Sequence, residues 1–166
     1  MDIVATKKLT IRRLEREDLG DVVAIDAIAE RRPRRAYFER RLDAARHQPG
    51  LHAQFAACDE KGLAGYILAR ILDGEFGRAE HGLRLEAIGV RDDAKGQRVG
   101  TRLFDTLCDY GRRHDMADVR TQAAWTNHAM LRWLDAMCFA LAPNHVVDCA
   151  VAGGEYASAR DDPVVM

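Results

Sequence analysis

No stretch of the 166-residue chain approaches the ~20 consecutive apolar residues that a membrane helix needs, so no membrane partner is expected. An excess of either charge is missing too. Lys and Arg number 25 against 26 Asp and Glu, a formal net charge of -1, which gives no global reason to expect nucleic acid. Cysteine is sparse: Cys58, Cys108, Cys138 and Cys149 form no C-x-x-C pair and have no histidines at metal-ligand spacing. A zinc site and a disulfide framework are therefore not expected, and the thiols read as reduced and mostly interior. The first residues, MDIVATKKLTIRRLERED, become charged too soon for a secretory signal, so a cytoplasmic location is expected. Repeats, low-complexity tracts and interdomain linkers are also lacking. The reading is one domain over residues 1–152 with a C-terminal tail at 153–166, which has no periodicity.

What is present is an ordinary globular balance, 48% apolar and 31% charged, with clear punctuation. LTIRRL (9–14) reads as a strand, and Glu17-Asp18 start a helix with Leu19, Val22, Val23, Ile25 and Ile28 on its apolar face. RRPRR (31–35) interrupts it. Pro33 suits the first turn of a second helix that carries Tyr37, Phe38 and Leu42 and stops near Pro49-Gly50. LHAQFAACD (51–59), with Leu51, Ala53, Phe55 and Ala57 on one face, and LAGYILARILD (63–73) read as a hairpin around DEKG. A loop at 74–82 leads to the strand LRLEAIGV (83–90). A helix from Gly100 puts Leu103, Phe104, Leu107, Cys108 and Gly111 on one stripe. A short strand follows at 118–124, then a helix opened by Asn127 with Met130, Trp133, Leu134 and Met137 on one face. Two short strands near 139–141 and 146–151 close the pattern. The order β-α-α-β-β-β-α-β-α-β-β predicts an α/β chain of the mixed, α+β kind. Its sheet is mostly antiparallel, flanked by helices, with one parallel pair at the central crossover.

One segment asks for a chemical explanation. After Val90 the chain runs RDDAKGQRVGTRLF, placing Lys95, Gly96, Gln97, Arg98, Val99, Gly100 and Thr101 between a strand and a helix. Glycines there let backbone N–H groups approach a ligand, and the helix start adds unpaired donors and a positive dipole end. Together these make an anion site for which pyrophosphate is the usual guest. The spacing fits neither the P-loop nor the dinucleotide fingerprint.

These residues resemble the cofactor loop of the GNAT superfamily of acyl-CoA-dependent N-acetyltransferases, which reads Gln/Arg-x-x-Gly-x-Gly/Ala after a strand ending in Val. Val90, Gly96, Gly100 and Leu103 agree, Lys95 stands where Gln or Arg is usual, and Arg98 replaces the central glycine. A second stretch, NHAMLRWLDAMCF (127–139), is similar to the family's N-x-x-A-x-x-L-Y-x-x-x-G-F: Asn127 and Phe139 agree, whereas Leu134 replaces Tyr and Cys138 replaces Gly. The resemblance spans about residues 9–151 and implies a GNAT-like fold. It implies acetyl-CoA as cosubstrate with no metal, and an amine-bearing small molecule or peptide as acceptor. Nucleic acid and membrane are not implied, and homodimerisation is left open. It further implies that the 95–101 loop cradles the coenzyme A pyrophosphate. Backbone groups of Ile88, Gly89 and Val90 would meet the pantetheine arm as an added strand would, and Asn127 would hydrogen-bond that arm.

Acetyl transfer needs a base for an amine whose pKa in water is ~10.4. Glu86, a carboxylate in an otherwise apolar strand, is the candidate, with His81 next. The usual acid position is Leu134, which cannot donate. Tyr66, Tyr110, His128 and Cys138 read as packing or surface residues, Trp125 and Trp133 as core, and RRPRR as a solvated helix start that could also attract an acidic substrate. The leading expectation is direct acetyl transfer from acetyl-CoA to a primary amine. The alternative is a GNAT-fold acyl-CoA binding or sensing module without turnover. A DNA-binding protein using QRVGTRLFDTLCDYGRRH as a recognition helix lacks the two-helix pattern it would need.

Overall fold

A computed structural model describes residues 8–148. In chain order the elements are β1 (Thr10–Arg13), α1 (Leu19–Glu30), α2 (Arg35–His47), β2 (His52–Asp59), β3 (Gly62–Asp73), β4 (His81–Val90), α3 (Val99–Arg113), β5 (Val119–Arg120) and α4 (His128–Ala136). The five strands form one sheet whose spatial order is the chain order, with β1 to β4 antiparallel and β4–β5 parallel across α3. This is the mixed sheet flanked by helices that the periodicity predicts.

A reciprocal cap starts the helical layer. The Glu15 N–H donates to Asp18 Oδ2 at 2.9 Å and the Asp18 N–H to Glu15 O at 3.2 Å, while both Asp18 oxygens accept from Arg12 at 2.7 Å. Leu19, Val22, Val23 and Ile25 of α1 then pack with Phe38 and Leu42 of α2 on Ala56, Tyr66 and Leu68 of the sheet. Ile28, expected on the apolar face, is 57% exposed, because it lies in the last turn of α1, which ends two residues later at Glu30 with Arg31 in left-handed backbone. Pro33 precedes α2 rather than occupying its first turn. The opposite sheet face is covered by α3. A Cβ added at Gly65 would sit 3.0 Å from Val99 Cγ1, and one at Gly111 would sit 3.2 Å from Leu83. Helices cover both faces of β2, so every residue from His52 to Ala57 is buried and its alternation does not mark one wet face.

The chain divides into two compact units between Ala124 and Trp125. In the second, Asn127 caps α4 by accepting from the Met130 N–H at 3.1 Å. The helix ends with the Phe139 N–H on Leu134 O, with Cys138 at φ 63° between them, the backbone form that usually takes glycine. Of its expected apolar face only Leu134 is buried. The strand expected at 139–141 is absent and residues 146–148 form none: Leu141, Val146 and Val147 are 87%, 67% and 88% exposed, so no burial rewards pairing there. Residues 149–151 and the expected tail at 153–166 lie outside the described residues. Cys58 and Cys108 are half-buried and Cys138 is exposed, less interior than expected, and all three are free thiols. No helix among the described residues is long and apolar enough to cross a membrane.

Candidate active site

β4 organises the site through an irregularity. Its register with β3 runs Ala69↔Leu85, then Leu68↔Ala87, which makes Glu86 the extra residue of a bulge. Before the bulge, odd-numbered residues turn their backbone groups toward β5: the Leu83 N–H donates to Asp118 O at 2.9 Å, and Leu85 O accepts from Thr121 Oγ1 at 3.0 Å. After it the sense is exchanged. The Arg91 N–H donates to Ala64 O on the β3 side at 2.8 Å. By alternation the N–H and C=O of Val90 and Ile88 therefore point away from β3. Since β5 pairs with β4 only at Leu83↔Val119 and Arg84↔Arg120, that edge has no strand partner among the described residues. Gly89 is a packing requirement: a Cβ there would lie 2.6 Å from the Tyr66 ring.

The Glu86 side chain projects to the α2 side, where it is 6% exposed. Arg41 Nη2 pairs with its Oε1 at 3.3 Å, and its Oε2 is buried without a hydrogen-bond partner. Arg41 is itself braced, its guanidinium 5.1 Å from the Tyr37 ring centre and its carbonyl accepting from Gln54 Nε2 at 3.1 Å. Beneath the same helix lies His52, 4% exposed, with Nδ1 buried and unpartnered. Burial pushes the His52 imidazole below its ordinary pKa; Glu86 opposes that shift, and Arg70 and Arg41 add to it.

Past Val90 a 3-10 turn (Asp92–Ala94) closes with the N–H groups of Ala94 and Lys95 on Arg91 O and Asp92 O. The first bond of α3 runs from the Arg102 N–H to Arg98 O at 3.0 Å. Between them the N–H groups from Gly96 to Thr101 have no backbone acceptor among the described hydrogen bonds. Gly96 and Arg98 stand in left-handed backbone, at φ 76° and 61°, so the chain curls around the helix start. Lys95 is exposed and paired with Asp92 at 2.5 Å, Gln97 donates to Asp93 O at 2.9 Å, and Arg98 is exposed with no ion pair among the described residues.

The other expected residues fall elsewhere. His81 faces Asp73 at 3.3 Å, at the opposite end of β4 from Val90, some 30 Å along an extended strand. Tyr66 is buried with its hydroxyl 3.3 Å from Asp26 Oδ1; burial, then Asp26, drive its pKa far up, so it is no proton donor. Tyr110, within α3, stacks on His114 at the end of that helix, with ring centres 4.1 Å apart. Within RRPRR, Arg34 is spent on Asp26, at 2.9 and 2.6 Å. Asn127, in the second unit, has its side-chain oxygen on its own helix. Trp125 is 79% exposed, not core. Among the described residues no group of three or more His, Cys, Asp and Glu could hold a metal ion. Sequence reasoning missed Arg41, His52 and Gln54. The signal was there in His52 and Gln54, polar residues alternating through an apolar strand, but such a pattern reads as a solvated face unless a helix is known to cover it.

Residues 10–137 match the acetyltransferase (GNAT) family model. No curated protein matches the chain. Among solved structures, it is similar to a ribosomal-protein-alanine N-acetyltransferase from Brucella melitensis biovar Abortus 2308, at 18% identity and TM-score 0.68 over 86% of this chain and 100% of that one. It is similar to an aminoglycoside acetyltransferase from an uncultured soil metagenomic sample, solved with sisomicin, at 16% identity and TM-score 0.65 over 86% and 94%. It is also similar to a possible acetyltransferase from Clostridium difficile 630, at 10% identity and TM-score 0.72 over 86% and 97%. At these identities the likeness is one of fold.

Proposed function

The chain belongs to the GNAT acetyltransferase family, and from that premise we propose that it moves an acetyl group from acetyl-CoA directly to a primary amine, in the cytoplasm. The observation that carries this reading is a continuous track on one strand and its loop. A buried carboxylate with one uncommitted oxygen sits at the bulge, an unpaired backbone edge follows, and a helix start lined with N–H groups ends the track. The fit to coenzyme A is chemical. The N–H groups from Gly96 to Thr101 and the positive end of α3 suit the pyrophosphate, with Arg98 the stronger side-chain contact because Lys95 is already paired. The edge groups of Ile88 and Val90 suit the amide-bearing arm.

When bound, acetyl-CoA supplies an acyl group already activated as a thioester. The chain's part is to position and to deprotonate. The amine must lose a proton as its nitrogen bonds to the acyl carbon and the C–S bond breaks. Glu86 Oε2 receives that proton, directly or through one water, while Arg41 holds Oε1. The outward N–H of Ile88 donates to the carbonyl oxygen as it gains charge. Leu134 offers no acid, and a thiol of pKa ~8.5 leaves without one.

The test is thiol release from acetyl-CoA with an amine panel. Glu86→Gln keeps the shape and removes the acceptor, so the rate should fall by ~10²–10⁴ with CoA affinity nearly unchanged, recovering in part at high pH as more amine arrives neutral. A Glu86→Gln protein that turns over like the parent would move the base elsewhere. CoA binding with no transfer to any amine would favour a binding module.

A further inference from the structure

On the sheet face that carries Glu86, three arginines stand side by side, each directly opposite the next: Arg70 on β3, Arg84 on β4 and Arg120 on β5, with His52 of β2 opposite Arg70. Like charges directly opposite across strands are destabilising. Two are neutralised within the fold. Arg84 donates to Glu75 at 3.3 and 3.2 Å, and Arg120 to Asp118 at 3.2 Å. Arg70 is half-buried and has no carboxylate partner among the described residues. Nearby, Arg41 is offset by Glu86, so the local count leaves one uncompensated cation, Arg70. Arg84 lies two residues before Glu86 on β4, a separation of about 7 Å along the strand. The Glu86 carboxylate, 6% exposed with Oε2 unpartnered, is a second and independent sign that this face is built to receive a ligand.

We propose that the acceptor is an amine carrying an anionic group, which Arg70 binds beside Arg84 while the amine meets Glu86. The inference rests on the acetyl-transfer reading above. A guanidinium matches the planar or tetrahedral oxygens of carboxylate and phosphate with two parallel bonds, and a half-buried one is screened less than a surface lysine. One anion fills the row's charge deficit, and the spacing selects an acceptor whose amine and anion lie a few bonds apart.

The experiment compares matched pairs on the CoA-loaded protein, phosphoethanolamine against ethanolamine and 4-aminobutyrate against 4-aminobutanamide, by thiol release and by calorimetric binding. In at least one pair the anionic member should have a kcat/KM about tenfold or more above its neutral partner, and the pair that responds tells phosphate from carboxylate. Arg70→Gln should erase that preference by raising KM far more for the anionic member than for its neutral partner, and Arg70→Lys should keep part of it. Equal specificity in both pairs, or a preference that survives Arg70→Gln, overturns the proposal. Glu86→Gln should lower kcat for both members of a pair alike. If no amine releases thiol, the acetyl-transfer reading fails, and the binding preference still decides the anion site: its presence and loss in Arg70→Gln support the site, and its absence overturns it.

Discussion

Two residues depart from the family's motifs in the same way. Arg98 and Cys138 each replace a glycine, and each stands at positive φ, 61° and 63°. Both stand in the left-handed backbone that glycine adopts most readily, at a cost of about 1 kcal/mol per non-glycine residue. Returning each to glycine separates strain from ligand contact. Arg98→Gly and Cys138→Gly should each raise stability by about 0.5–1 kcal/mol, after allowing for the freer unfolded chain, or roughly 1–4 °C in Tm. Only Arg98→Gly should also weaken CoA binding and flatten its salt dependence, since only it removes a cation from the loop. A thermal melt and a CoA titration of each variant read both effects. Equal CoA affinity in the two variants would make Arg98 a surface charge.

Among the elements, α3 was the most legible in the sequence, because its stripe at Leu103, Phe104, Leu107 and Gly111 has a single period and a single buried face. β4 was legible as a strand, and the family resemblance implies a bulge in it, but not at which residue. The extra residue leaves no mark on composition, and only the partner strand's register shows that Glu86 is the one left over. Whether Glu86 faced solvent or cleft was likewise beyond the sequence, since its orientation depends on Arg41, 45 positions away (86 − 41) on another element. The short strands near 139 and 146 were read from apolar residues that the fold leaves exposed, which shows how little three or four apolar residues say without a partner. The start of α3 gives a test at this scale. Gly100→Glu puts an anion in the first helical turn, where the dipole favours it, so the free protein should melt no lower than the parent. The same charge should oppose the pyrophosphate and cost about 3 kcal/mol of CoA binding, on the order of 10²-fold in Kd by calorimetry. Unchanged affinity in the folded variant would sink the loop assignment.

For the molecule as a whole, one buried imidazole and three ion-paired carboxylates predict two stages of acid destabilisation. His52 has a folded-state pKa depressed chiefly by burial, so the unfolded chain binds its proton more readily. That part of the stability is complete above about pH 6.5 and is lost as pH falls through the depressed value. The carboxylates follow. Asp18 resists the upward push of its burial because Arg12 and the Glu15 N–H hold it down. Asp59 does the same through Arg91 and the Lys61 N–H, and Arg91 and Lys61 hold Asp93 at about 2. Their contribution is intact above about pH 3.9 and fades below it. Melting temperature against pH should therefore show a shallow decline beginning near pH 6.5 and a steeper one below pH 4 or so. In His52→Gln the first stage should disappear whatever the variant's absolute stability. A first stage that persists would assign it to another group.

The bulge at Glu86 has a consequence for how this protein can vary. It is already a one-residue slip of reading frame within β4: it is why even-numbered residues, not odd, turn their backbone to the open edge beyond it. Deleting Glu86 would leave Leu85 and Ala87 on their present partners, Ala69 and Leu68, so Ile88 and Val90 would keep their outward sense and only the carboxylate would be lost. Adding a residue between Ala87 and Ile88 without a second bulge would turn the groups of both into the sheet. The strand thus works as a ruler with fixed graduations, with Arg84, the Glu86 carboxylate and the unpaired edge of Ile88 and Val90 at set marks. New acceptor preferences can arise by exchanging side chains at those marks or by lengthening the loops beyond the strand's two ends, but not by changing the number of residues between them.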